Sequence, residues 1–207
     1  PSIFVPTLQR DFQCIEPFDE NGVLYWIGTE GGEREYSNPH TNGNVGVKMS
    51  CKWYCADAAV YVEHRPPQNI ELDTNYPCSW ISLDLGAERL LVPNFYCLRG
   101  YDKMKNILVS WELQGRRSSS ENWVTIKRHM NDTEVSKSDG SLAVASWHLK
   151  DICEPFRYFR LLQLDCCGPL SKTIPCSGIE LYGTLLQTEM GKRASTERKK
   201  GSLVCTK

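Results

Sequence analysis

The chain has 207 residues, 41% of them hydrophobic, and 24 Lys and Arg against 25 Asp and Glu give a formal net charge of −1. That is enough apolar content for one well-packed core. The charge balance provides no electrostatic footprint for nucleic acid or an anionic membrane, and no stretch reaches the roughly 18 to 20 continuous apolar residues of a membrane span.

The chain opens on Pro1 rather than Met, as a fragment or processed form would, and no charged region followed by an apolar run precedes the first motif. From Phe18 to Pro39 large apolar residues alternate with turn formers; Asn21-Gly22 reads as a turn and Val23 to Thr29 as an added edge strand. The run Glu30 to Pro39 has neither Gly-x-Gly-x-x-Gly nor a Walker Gly-Lys-Ser/Thr, which excludes a phosphate cradle. Asn44 to Cys55 alternates as a strand. Cys55 to Trp80, with Pro66-Pro67 at its centre, reads as a long polar surface loop of the kind that carries recognition.

Strands are then predicted at Trp80 to Gly86, Leu91 to Gly100, Ile107 to Arg116, Asn122 to His129, Ser141 to Leu149, Phe156 to Asp165 and Ser177 to Leu186, separated by turn formers. No segment before Leu186 sustains helical periodicity for three turns. Many short alternating strands predict an all-β antiparallel sandwich. Beyond Leu186 the chain turns basic and polar, the composition of a disordered tail. The organisation expected is an N-terminal extension over 1–44, the sandwich over 45–186 and a tail or linker over 187–207.

Four segments in order, "WISLDLG", "VPNFYCLRG", "LVSWELQGRRSSSENWVTIKRH" and the pair "YFRLLQLD" with "SGIELYG", resemble the discoidin or galactose-binding-like sandwich family, a jelly-roll-like fold. The opening "FDENGVLYWIGT" and the His129-x-x-Asp132 before "SWHL" are similar to the intracellular branch found in HECT-type ubiquitin ligases and BTB-containing proteins. The resemblance implies a partner- or substrate-recognition role, as an adaptor part of a cytoplasmic ubiquitin-ligase complex. One departure stands out: the family's Gly-Ser-x-Asp-Gly turn is here "GRRSSSEN", which lengthens the hairpin and adds Arg116 and Arg117.

Catalysis finds no constellation. His40, His64, His129 and His148 lie in four separate segments and none stands in a nucleophile or metal-pair motif. Asp84, two residues before Gly86, reads as a carboxylate that caps turn amides. Cys51, Cys55 and Cys166-Cys167, with His64 or Cys176 nearby, do not form two close ligand pairs, so neither a metal nor another cofactor is expected. The ten cysteines are irregularly spaced and several sit in apolar runs, which favours free thiols. Trp80, Trp111, Trp123 and Trp147 read as packing residues, and Trp26 and Trp53 as candidates for exposure.

Function is therefore expected on loops at one end of the sandwich, over 55–76, 99–106 and 165–176, which carry His64, Arg65, Tyr76, Arg99, Tyr101, Lys103, Lys105 and Lys172. Arg, Tyr and Lys together suit a protein or peptide partner, an acidic peptide or carboxylate-bearing terminus among them. Ser195 and Ser202, just after basic residues, are candidate phosphorylation sites. Two rival readings stay open. A secreted carbohydrate-binding module predicts paired cysteines and sugar on the Asn131-Asp132-Thr133 sequon. A structural component of a large intracellular complex would use the Val23 to Thr29 edge to extend a neighbour's sheet.

Overall fold

A computed structural model describes residues 4–50, 58–65, 79–100, 107–136, 143–167 and 174–188. Its strands are β1 (Leu8–Phe12), β2 (Gly46–Met49), β3 (Trp80–Asp84), β4 (Arg89–Gly100), β5 (Ile107–Arg116), β6 (Val124–His129), β7 (Val144–His148), β8 (Tyr158–Cys167) and β9 (Cys176–Gln187). One short helix, α1 (Val23–Gly28), precedes β2, and single 3-10 turns occupy Ala58–Val62 and Glu134–Ser136. Two antiparallel sheets result, one in the order β1-β9-β4-β7 and one in the order β2-β3-β8-β5-β6.

Two-residue alternation sends one set of side chains from each sheet into the space between them. From the five-stranded sheet come Ile81, Leu83, Trp111, Leu113, Phe159 and Leu161; from the other come Tyr96, Leu98, Ile179 and Leu181, all buried in one cluster. The sandwich predicted from the strand pattern is the fold observed, and its strands from β3 onward lie where alternation placed them. Leu91 and Phe156 bridge the two sheets at the end where β4 and β8 begin.

Close approach within β9 requires one glycine. Gly183 has φ +138°, and a Cβ there would lie 2.1 Å from the Val92 carbonyl, where the β4–β9 register shifts between Pro93 and Phe95. Gly183→Ala is expected to cost roughly 3 kcal/mol, because both the backbone conformation and the gap to β4 exclude a methyl group. Urea denaturation of the two proteins measures it; a cost below about 1 kcal/mol would show that the bulge relaxes.

Two expectations need correction. Val23 to Thr29 is not an edge strand: Val23–Gly28 is one helical turn and a half, with Val23, Leu24 and Ile27 buried. Its first free N–H groups, those of Leu24 and Tyr25, donate to the Glu180 carboxylate of β9 at 2.8 and 3.1 Å, so a remote acceptor stabilises the helical turn. The added strand is instead β1, which extends the four-stranded sheet along β9 from Leu8↔Gln187 to Phe12↔Gly183. The second correction concerns the polar loop after Cys55. Ala58–Val62 is a 3-10 turn whose Tyr61 and Val62 join the core.

Candidate recognition surface

The end of the sandwich where β4 finishes and β9 begins also receives residues 63–65, which come just after the 3-10 turn. These three are held by one side chain. Arg99, 2% exposed, donates from Nη2 to the carbonyls of Glu63 (2.7 Å), Ser177 (3.1 Å) and Arg65 (3.4 Å), and from Nη1 to that of His64 (2.9 Å). Phe18 covers the guanidinium, its ring centre 4.6 Å from Cζ. The close packing leaves no room for a side chain at residue 178, where a Cβ would come 2.7 Å from Arg99 Nη2.

Above this clamp lies an aromatic cluster. The Tyr25 and Tyr36 rings stack at 5.3 Å with 6° between their planes, and the His64 ring sits 4.5 Å from the first and 5.6 Å from the second. Tyr36 O–H donates to the Val62 carbonyl at 3.1 Å and accepts the His64 N–H at 3.0 Å, so the stack is tied to the same segment that Arg99 holds. Asn38 Nδ2 donates to the Ala59 carbonyl and to Glu63 Oε2, both at 2.9 Å. Burial lowers the His64 pKa, against the pull of the Glu20 carboxylate, so the ring is neutral at pH 7. Burial likewise pushes the Tyr36 phenol far above its ordinary value. Arg65 and Glu20 are exposed beside the stack and give the rim both signs of charge.

The sequence-predicted residues thus divide. His64 and Arg65 are brought together at this end, half-buried and exposed respectively. Arg99 belongs to the same end but lies beneath it: the expectation that it faces a partner is corrected, because the side chain is buried and its two Nη groups donate to four backbone carbonyls. Tyr76, Tyr101, Lys103, Lys105, Lys172, Ser195 and Ser202 lie outside the described residues. Tyr25 and Tyr36 were missed. Val23 to Thr29 read as a strand, and the contacts of both rings with His64 join segments far apart in the chain.

A second polar constellation has the composition of a catalytic relay. Trp111 Nε1–H donates to Tyr96 Oη (3.0 Å), Tyr96 O–H to His129 Nε2 (2.8 Å), His129 Nδ1–H to Asp132 Oδ2 (2.7 Å), and Trp147 Nε1–H to the same oxygen (3.1 Å). The ionised Asp132 carboxylate can only accept, so His129 Nδ1 carries the proton it donates; burial keeps the ring neutral, which leaves Nε2 to accept the Tyr96 hydroxyl proton. Burial depresses the His129 pKa; at Asp132 burial works upward, but the Glu134 N–H, His129 and Trp147 together hold the carboxyl below its ordinary value. Tyr96 and Trp111 are fully buried and His129 is 6% exposed, so no substrate reaches the hydroxyl. Each member satisfies the next, and the group pins β4 and β7 of one sheet to β5 and β6 of the other. This explains the His-x-x-Asp before the "SWHL" strand.

Among the described residues no group of three or more His, Cys, Asp or Glu side chains is arranged to hold a metal ion, and no helix is long and apolar enough to cross a membrane. Cys14, Cys97, Cys153 and Cys176 are free thiols.

No protein-family model matches the chain. It is 26% identical over 189 residues to a BTB/POZ domain-containing protein of Arabidopsis thaliana, covering 84% of this chain and 22% of that protein. With the E3 ubiquitin-protein ligase hecd-1 of Caenorhabditis elegans it shares 29% identity over 187 residues, covering 85% of this chain and 7% of the ligase. With the E3 ubiquitin-protein ligase Ufd4 of Drosophila melanogaster it shares 25% over 178 residues, or 82% and 6%. The chain therefore spans under a quarter of the length of each of these relatives. Among solved structures, a Clostridium perfringens domain in complex with GalNAc-β-1,3-galactose superimposes with a TM-score of 0.47 at 13% identity, covering 68% of this chain and 96% of that one. A chitosan-binding module from a Paenibacillus chitosanase/glucanase, in complex with chitotriose, gives 0.46 at 13% identity, covering 68% and 97%. The chain is a two-sheet antiparallel β-sandwich, similar in sequence to one segment of a BTB/POZ protein and of two E3 ubiquitin-protein ligases.

Proposed function

We propose that this domain is a non-catalytic module that holds a protein or peptide partner at the end of the sandwich marked by Tyr25, Tyr36, His64 and Arg65, as the recognition part of a cytoplasmic, ubiquitin-ligase-type assembly. The observation that carries the reading is the Arg99 clamp, which fixes residues 63–65 on the sheet before any partner arrives. A segment ordered in advance loses less entropy on binding than a free loop. The stacked tyrosines supply contact area, and Arg65 and Glu20 supply polar selection at the rim. The names of two relatives support the ligase setting. In this reading the residues that follow β9 act as a basic linker, and phosphorylation at Ser195 or Ser202 changes its charge.

The test uses the 207-residue chain as bait in a cytosolic extract, with wild type, Tyr25→Ala and Arg65→Glu compared by quantitative mass spectrometry. The specific partner is expected to fall at least about 10-fold with each variant while the thermal midpoint stays close to that of wild type. Equal capture by all three would remove this surface from consideration. A glycan that binds in a Tyr25-dependent way would put carbohydrate in the protein's place.

A further inference from the structure

At the opposite end of the sandwich, where β5 finishes and β8 begins, guanidinium groups lie over aromatic rings on the outer face of the five-stranded sheet. Arg116 Cζ is 4.3 Å from the centre of Trp123 and 5.0 Å from that of Tyr158; Arg160 Cζ is 4.5 Å from Trp123, and Arg157 Cζ 4.8 Å from Tyr158. The acidic groups nearby are already engaged. Asp84 is held by Arg157 Nε and Nη2 at 2.6 and 2.8 Å. Glu112 accepts from Arg128, Gln114 and Thr125, and Glu121 accepts the backbone N–H groups of Arg117 and Ser118.

Arg160 donates to the side-chain carbonyl of Gln114, and Arg116 to the main-chain carbonyls of Ser119 and Glu121. Among the described residues, neither forms an ion pair. Two like charges therefore face one indole with only neutral acceptors. Burial, and then the neighbouring Arg116 charge, lower the Arg160 pKa, while the Glu112 carboxylate pulls it upward. Arg117 projects from the same hairpin into solvent.

We propose that Arg116, Trp123 and Arg160, with Arg117 at the rim, form a second docking site, for an acidic segment of a partner protein carrying neighbouring Asp or Glu side chains. Guanidinium forks bind carboxylates bidentately, and their alignment on a ring lowers the entropy lost on pairing. A nucleic acid fits less well, since the chain has a net charge of −1. The site is independent of the one at His64 and Arg65.

The experiment titrates the 207-residue chain into a fluorescein-labelled peptide of alternating Glu and Ser, followed by anisotropy at about 50 mM and about 300 mM salt. Binding is expected to weaken at the higher salt, and Arg116→Ala and Arg160→Ala are each expected to reduce affinity at least about 10-fold. Arg117→Glu leaves the guanidiniums over Trp123 in place and is expected to reduce affinity about 5-fold with an unchanged thermal midpoint, which separates binding from folding. The proposal fails if the peptide does not bind, or if Arg160→Ala and Arg117→Glu bind it as wild type does. It also fails if Arg65→Glu is the variant that weakens the peptide, since the acidic segment would then sit at the other end. Tighter binding of a uridylate oligonucleotide than of the peptide would replace it with a nucleic-acid site.

Discussion

Replacing Arg99 with Met is expected to lower stability by about 4 kcal/mol, with Arg99→Lys intermediate at about 2 kcal/mol. The methionine keeps the apolar stem but leaves the carbonyls of Glu63, His64, Arg65 and Ser177 without their donor. An unsatisfied buried acceptor costs about 1 to 3 kcal/mol, and the four are not additive because a released segment regains water. Lysine restores the charge, but its point-like ammonium does not span four acceptors. Urea denaturation gives the energies. Amide hydrogen exchange at His64, whose N–H donates to the Tyr36 oxygen, gives the local consequence: under native conditions it should accelerate in Arg99→Met more than global stability accounts for. A loss below about 1 kcal/mol would mean that residues 63–65 hold their place without the clamp. The pairing with Arg65→Glu matters for function, because the buried residue should affect folding and binding together and the exposed one binding alone.

The second large effect is a pH dependence centred on Glu180. This carboxylate is 2% exposed and accepts the N–H groups of Leu24, Tyr25 and Leu181 at 2.8, 3.1 and 2.9 Å. Burial opposes its charge and outweighs the three donors, so its pKa is raised from 4.5 to about 7. Below the unfolded value near 4.5 the group is protonated in both states and carries no penalty. Between 4.5 and about 7 the folded state keeps a proton that the unfolded state has lost, so stability falls as pH rises; above about 7 the loss is complete, at about 3 kcal/mol. Glu180→Gln cannot ionise. The stability of wild type minus that of Glu180→Gln is therefore expected to fall by about 3 kcal/mol between about pH 4.5 and about pH 8. His64 and His129, whose pKa values burial lowers, act in the opposite sense but cancel in the difference. A flat difference would mean that the three N–H groups keep Glu180 ionised throughout.

The strand pattern was legible because alternation is local. Residues from Trp80 to Asp84, Ile107 to Arg116 and Tyr158 to Leu161 show their inner and outer faces in their own order of apolar and polar side chains, and the sandwich results from burying the inner ones. Asp84 was read as a turn cap from its spacing to Gly86 alone, and its Oδ1 does accept the Gly86 N–H at 2.9 Å. The His129 and Asp132 pair was likewise visible as a motif, because its partners are three residues apart.

What escaped the sequence depends on groups distant in the chain. Val23–Gly28 alternates as well as a strand does, and Glu180, 156 residues beyond Leu24, is what caps it as a helix. β1 is exposed along four of its five residues and shows no apolar pattern; the β9 ladder makes it a strand. Arg99 looked like a loop cation, and only the return of residues 63–65 over the end of β4 buries it. The gathering of Arg116, Trp123 and Arg160 on one outer face depends on the pairing of β5 with β6 and β8. The sequence by itself determined the sandwich and its inner face, since side-chain alternation is a property of each strand; the tertiary structure decided which charges are buried, which rings stack and which basic side chains remain for a partner, since each of those depends on neighbours brought from far along the chain.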